Sequence, residues 1–295
     1  MTDPKMREQI ASGEGFIAAL DQSGGSTPGA LKGYGVAEDA YSTDEEMFAA
    51  IHAMRSRIIT SPCFNGDKVI GAILFEKTMD GEAGGEPVPQ ALWSRGVVPF
   101  LKVDKGLEDE ADGVKMMKPM PELDALCARA VKKGIFGTKM RSVIERASPT
   151  GIAAIVRQQF EVAGQISKHG LMPIIEPEVS IKSPERGQCD ELLLAETVKA
   201  LDALPEGEQV MLKLTLPEQP NLFATLVDHP RVLRVVALSG GFSREEACRQ
   251  LAQNRGVIAS FSRALLSDLR HGMSDDEFDG ALGGAIDDIH SASVA

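Results

Sequence analysis

What this chain lacks narrows its function first. No stretch approaches the roughly 18 consecutive apolar residues needed to cross a bilayer, which excludes a membrane-spanning helix. Residues 1–8 are polar and highly charged, without the apolar run of a signal peptide, so we expect a cytoplasmic protein. The four cysteines, Cys63, Cys127, Cys189 and Cys248, are far apart and form no Cys-x-x-Cys pair, which reads as reduced structural thiols. None of His52, His169, His229, His271 and His290 pairs with another at ligand spacing, which argues against a histidine-built metal site. Positive charge is also short, with 31 Lys+Arg against 43 Asp+Glu and a formal net charge of -12. That balance argues against non-specific binding to nucleic acid or an anionic membrane. It leaves room for a small phosphorylated substrate, which responds to the local field of its pocket. Internal repeats, charge blocks and low-complexity tracts are absent as well.

What is present is the pattern of a buried parallel sheet. The 295 residues are 43% hydrophobic, ordinary for a globular domain and enough for a substantial core. Eight short apolar runs recur, at 15–21, 70–76, 97–104, 135–141, 171–178, 209–215, 232–238 and 257–261. Near-continuous apolarity without alternation marks strands covered on both faces. Between them lie helical signals. Ser42 with Glu45, Ser243 with Glu246 and Ser274 with Glu277 have capping-box spacing. Ile152, Ile155, Val156, Phe160, Ala163 and Ile166 keep helical period after Pro149 until Gly170. Phe278, Leu282, Ile286 and Ile289 form another one-sided stripe.

Eight strands alternating with helices predict an α/β fold, a single (β/α)₈ barrel over residues 1–295. Extra helices fit between the first two strands, and a further helix at the C-terminus. A doubly wound open sheet is the competing architecture; it predicts fewer strands and a Gly-x-Gly-x-x-Gly turn, which is missing. Residues 81–87 read as a flexible loop.

Charge falls at the C-terminal ends of these strands, the face that carries the active site in such barrels. Asp21 closes the first run, Lys102 and Asp104 the third, Lys139 and Arg141 the fourth, Glu176 and Glu178 the fifth, and Lys213 the sixth. Lys213 is flanked by leucine on both sides. Desolvation and a neighbouring ammonium such as Lys139 both favour the neutral amine that attacks a carbonyl. Position alone leaves two roles open, a nucleophile or a structural lysine paired with Glu176 or Glu178.

Ser-Gly-Gly follows the first run (Ser23-Gly24-Gly25, then Ser26) and the seventh (Ser239-Gly240-Gly241). Glycine lets backbone N–H groups approach an anion, and Arg263 after the eighth run adds a charged donor. Two such cradles beside a reactive lysine point to a substrate phosphorylated at both ends, with a carbonyl between. Met116, Met117 and Met120 read as an apolar patch near a helix start. Trp93, Tyr34 and Tyr41 are expected to pack against loops.

These residues together resemble class I fructose-1,6-bisphosphate aldolase, the Schiff-base kind, and its bacterial branch in particular. The resemblance runs through nearly the whole chain. It rests on Ala19-Leu20-Asp21-Gln22-Ser23, Leu101-Lys102-Val103-Asp104-Lys105-Gly106, Lys139-Met140-Arg141, Ile175-Glu176-Pro177-Glu178, Leu212-Lys213, Leu238-Ser239-Gly240-Gly241 and Ser260-Phe261-Ser262-Arg263-Ala264-Leu265, in that order.

It implies metal-independent, cofactor-free cleavage of fructose 1,6-bisphosphate to dihydroxyacetone phosphate and glyceraldehyde 3-phosphate, in glycolysis and gluconeogenesis. By the same resemblance Lys213 is the nucleophile and Glu176 the general acid/base, which calls for a carboxyl raised toward neutrality. Asp21 orients substrate and lysine, Lys139 stabilises developing charge, and Glu178 supports. Ser239, Gly240 and Arg263 match one phosphate site; Ser26, Lys102 and Arg141 are assigned to the other end.

The motifs also depart from the animal pattern. Gln22 stands where many animal members carry a second acid, and Phe261 and Ser262 where they have tyrosine and glycine. Residues 289–295 do not resemble the tyrosine-ended tail that those members use in proton exchange. Two alternatives accompany this expectation: a Schiff-base aldolase or transaldolase acting on another sugar phosphate, and a sugar-phosphate-binding protein without turnover. Oligomeric state is left open.

Overall fold

The computed structural model describes residues 3–295. Eight parallel strands follow one another around a barrel: β1 (Phe16–Leu20), β2 (Val69–Leu74), β3 (Val98–Lys102), β4 (Gly137–Ile144), β5 (Met172–Val179), β6 (Val210–Thr215), β7 (Val232–Leu238) and β8 (Val257–Ala259). Each pairs with its neighbour in sequence order, and the seam between β8 and β1 closes through the Ala19 N–H donating to the Phe261 carbonyl at 3.1 Å. All eight apolar runs are strands, and the architecture is the TIM barrel.

The side chains obey the two-residue period of a strand. Ala18 and Leu20, Leu101, Met140, Ile175, Leu212 and Leu214, and Val235 and Ala237 point outward into the core beneath the helices. The alternate positions point inward: Ile17 and Ala19, Ile73, Val98 and Phe100, Met172 and Ile174, Met211, Val236 and Ile258 fill the lower barrel. Gly137 makes room there. A Cβ on it would lie 2.8 Å from the Phe100 ring and 2.3 Å from the Met172 carbonyl oxygen.

The charged N-terminal segment folds as a helix, Pro4–Ser12, begun by an Asp3 cap and by proline in its first turn. Its two buried residues, Met6 and Ile10, are one turn apart and close the bottom of the barrel. Two further helices, Thr27–Tyr34 and Asp44–Thr60, lie between β1 and β2. The second starts one residue later than the Ser42–Glu45 spacing predicts. Thr43 is the cap and Glu46 closes the box, because Thr43 has the extended backbone that an N-cap needs. The Ser243 and Ser274 caps stand where expected. The final helix, Asp275–Ser293, packs across β1 and β8, and its Ser293 hydroxyl accepts the Ala259 N–H at 3.0 Å.

Residues 81–87 depart from the flexible loop expected of their composition. Glu82–Ala83 pairs with Glu86–Pro87 as a small antiparallel hairpin, with Gly84 and Gly85 at positive φ in its turn. Tyr34 also departs, packing edge-on against Phe278 of the last helix as well as against His271. Among the described residues no helix is long and apolar enough to cross a membrane.

Candidate active site

One inward position above the apolar layer, the same strands carry charge. Asp21 follows Ala19, Lys102 follows Phe100, Glu176 follows Ile174, and Lys213 follows Met211, each by two residues. The register that pairs Ile174 with Met211 and Ile175 with Leu212 brings Glu176 beside Lys213. The Lys213 Nζ lies 3.3 Å from Glu176 Oε1. The Lys139 Nζ lies 2.6 Å from Asp21 Oδ2 and 3.0 Å from Glu176 Oε2. All four side chains are buried. Buried charges persist only when they are paired, and here two lysines face two carboxylates.

The pairing sets the protonation states. Burial alone pushes the Asp21 carboxyl up, but the Lys139 and Lys213 charges outweigh it and hold Asp21 well below the usual carboxylate range. Burial pulls Lys139 down, yet Asp21, Glu176 and Asp104 carry it well above an ordinary lysine, so it is a permanent cation. Glu176 corrects the expectation of a carboxyl raised toward neutrality. Burial does push it up, but Lys139, Lys213 and Arg141 together leave it lowered. As a carboxylate it is an acceptor, not a proton donor.

Every site residue read from the sequence lines one cavity of about 1280 Å³ at the mouth: Asp21, Ser26, Lys102, Lys139, Arg141, Glu176, Glu178, Lys213, Ser239, Gly240 and Arg263. Several of these are engaged internally. Lys102 Nζ donates to Asp104 Oδ1 and to its carbonyl, both at 2.7 Å. Arg141 pairs with Glu178, and the Ser26 hydroxyl donates to the Ser23 carbonyl at 2.9 Å. Burial pulls the Arg141 guanidinium down, but Glu178 more than offsets it, so its charge is secure. Gly240 and Gly241 adopt φ of 60° and 116°, the left-handed region open to glycine. A Cβ on Gly240 would meet Ile181 at 2.6 Å, and one on Gly241 would lie 3.2 Å from the Arg263 guanidinium. The backbone after β7 and the arginine after β8 therefore pack against each other.

A family model described as fructose-bisphosphate aldolase class-I matches residues 5–228. A curated protein from Synechocystis sp., named fructose-bisphosphate aldolase class 1, is 56% identical over 288 residues, covering 97% of this chain and 96% of that protein. The chain belongs to the class-I fructose-bisphosphate aldolase family. Among solved structures, the aldolase of Plasmodium falciparum, crystallised with TRAP and a small-molecule inhibitor, superposes with a TM-score of 0.81 at 21% identity. It covers 98% of this chain and 93% of that one, and attests the fold. A Corynebacterium glutamicum protein shares the fold more loosely, with a TM-score of 0.56, 13% identity, and coverage of 98% and 92%.

Two residues that shape the site escaped the sequence reading. Gln159, on the buried face of the Pro149–Ser167 helix, accepts the Glu176 N–H at 2.9 Å and donates to the Ser142 hydroxyl, anchoring the backbone under the acid. Arg55, on the Asp44–Thr60 helix, is fully buried. The available signal was positional. Arg55 continues the stripe Met47, Ile51, Met54, Ile58, and Gln159 continues Ile152, Ile155, Val156, so each is a polar residue on an apolar helix face.

Proposed function

We propose a division of labour among these residues for this class-I fructose-bisphosphate aldolase, which reversibly cleaves fructose 1,6-bisphosphate to dihydroxyacetone phosphate and glyceraldehyde 3-phosphate through a lysine Schiff base. Lys213 supplies the amine that attacks the C2 ketone. The lysine nitrogen sheds two protons: one passes to the C2 alkoxide to complete the carbinolamine, and Glu176 takes up the other and returns it to the departing C2 hydroxyl, which leaves as water. The resulting iminium draws electrons from the adjacent carbon far better than a ketone, so the C3–C4 bond breaks to an enamine as Glu176 accepts the C4 hydroxyl proton. Protonation of the enamine and hydrolysis of the imine return free Lys213 and dihydroxyacetone phosphate.

The observation that carries this reading is the buried quartet of Asp21, Lys139, Glu176 and Lys213 at the barrel mouth. Its electrostatics explain how Glu176 serves both as base and as acid. While both lysines are charged, its carboxylate is stabilised and ready to accept a proton. At the neutral carbinolamine stage the Lys213 charge is gone, burial weighs more, and the same carboxyl holds a proton to donate. Lys139 remains charged throughout and steadies the oxyanion that develops. Asp21 fixes Lys139 and faces the substrate hydroxyls.

Ser239, Gly240 and Arg263 bind one phosphate, and Ser26, Lys102 and Arg141 bind the other, with Glu178 orienting Arg141. The partners are small sugar phosphates, handled in the cytoplasm without nucleic acid or membrane. Reduction with borohydride in the presence of dihydroxyacetone phosphate, followed by peptide mapping, tests the assignment. An adduct on Lys213 with irreversible loss of activity is the expected result; no adduct on a folded, ligand-bound protein overturns it.

A further inference from the structure

The barrel closes between β8 and β1, and that seam is thin. Among the described residues a single backbone hydrogen bond, from Ala19 N–H to the carbonyl of Phe261 two residues past β8, crosses the seam. The two loops that leave this seam carry the cradle residues: Gln22 leads into Ser23–Ser26, and Ser262 leads into Arg263. Nothing in the ladder fixes how far apart those loops stand.

Side chains supply the missing tie. The Gln22 amide donates through Nε2 to the Ser262 hydroxyl at 2.5 Å and to the Ala19 carbonyl at 3.2 Å. Its other end meets Arg55, whose Nη2 donates to the Gln22 carbonyl and, at 3.2 Å, to Gln22 Oε1. An arginine is a donor only, so the amide oxygen must face it, and the amide nitrogen is thereby aimed at Ser262. Arg55 is itself held by Nη1 donating to Thr78 Oγ1 at 2.8 Å, in a fully buried position. A buried guanidinium is costly unless its geometry is well used, and this one is spent on a residue of the cavity wall. Gln22 and Ser262 are also two of the positions at which the motifs depart from the animal pattern, and here they touch.

We propose that Gln22 and Ser262, aligned by Arg55, form a clasp across the β8–β1 seam that sets the spacing of the two phosphate-binding loops. They are positioning residues for a doubly phosphorylated substrate, an inference that rests on the functional reading above. A bisphosphate must meet both loops at once and is sensitive to their separation; a monophosphate engages one loop and is not. The clasp thus acts on the preference between substrates and leaves the chemistry at Lys213 alone.

The test compares kcat/KM for fructose 1,6-bisphosphate and fructose 1-phosphate in the wild type, Gln22→Met, Ser262→Ala, the double variant and Ser262→Thr. Arg55 is left intact, since its loss threatens folding. Each single variant is expected to lower the bisphosphate-to-monophosphate ratio about tenfold, the scale of one directed hydrogen bond. The double variant should fall no further, and Ser262→Thr, which keeps the hydroxyl, should retain the wild-type ratio. A ratio unchanged in both single variants overturns the clasp, even if their Tm drops, because a purely structural tie lowers stability without shifting preference. Losses that multiply in the double variant overturn it too. A wild-type enzyme that does not cleave the bisphosphate at all overturns the functional reading, and the inference with it.

Discussion

The lower and upper halves of the barrel interior are built by the same strands, yet they are opposite environments. Below, Ala19, Phe100, Ile174 and Met211 make a dry apolar plug. Two residues further along each strand, about 6.6 Å by strand rise, Asp21, Lys102, Glu176 and Lys213 line the cavity at the mouth. The fold fixes where an inward side chain goes; the residue type decides whether that layer stabilises or reacts. Apolar burial below contributes stability directly. Charge above must be neutralised in place, and each ion is held only by its neighbours.

The largest expected effect is Lys213→Met, which swaps the proposed nucleophile of the upper layer for a side chain that suits the lower. Cleavage should fall by about 10³-fold or more while the protein stays folded, as judged by far-UV circular dichroism. Near-normal turnover would remove the distinction between the layers.

Lys139→Met probes how far the upper layer depends on its own pairing. It strands Asp21 and Glu176, and a buried pair broken from one side costs about 3–5 kcal/mol. In the wild type both carboxyls are lowered, so their stabilisation is present above the unfolded pKa near 4 and is lost as pH falls. Without Lys139 that advantage is gone, so the deficit in urea unfolding should be greatest near pH 8 and shrink on acidification. A deficit independent of pH would show that the lysine acts through packing.

Asp190 sharpens the contrast from outside the mouth. It is a buried carboxylate with no salt bridge among the described residues, accepting the Glu218 N–H at 3.1 Å, and burial outweighs the nearby Arg186 charge and pushes it up to about 6. A folded value above the unfolded one means a penalty that is absent below about pH 4 and complete above about pH 6. Asp190→Asn should therefore raise stability by on the order of 1 kcal/mol at pH 7.5 and by nothing at pH 4. Thermal melts at the two pH values check this; a gain that is equal at both would contradict it.

The smallest effect belongs to the lower layer. Ile174→Val, directly beneath Glu176, should cost about 1 kcal/mol in chemical denaturation and leave kcat/KM unchanged within twofold. A tenfold loss of activity would mean that packing below sets the geometry above, and that the two halves are one unit.

Much of this was legible in the chain itself. Eight apolar runs identified eight strands, because burial on both faces leaves no polar alternation to hide them. The charged residue ending most of those runs marked the mouth, because a lysine such as Lys213 between leucines has few places to go in a folded protein. What the sequence could not settle was protonation and partnership. Glu176 is lowered where acid/base work calls for a raised value, because its pKa depends on two lysines 37 residues either side of it in the chain, Lys139 and Lys213. The hairpin at 81–87 and the Thr43 cap differ from their composition-based readings for a local reason, the backbone angles that turns and caps require.

By itself, then, the sequence determined the strand count and the chemical types at the mouth, which follow from continuous apolar runs and the charged residues that end them. Only the tertiary structure decided that Met6 and Ile10 plug the barrel, that Lys139 bridges two carboxylates, and that Arg55 reaches Gln22 and through it Ser262. Those contacts join residues up to 240 positions apart, and the register of a closed barrel, not local propensity, brings them within hydrogen-bonding distance.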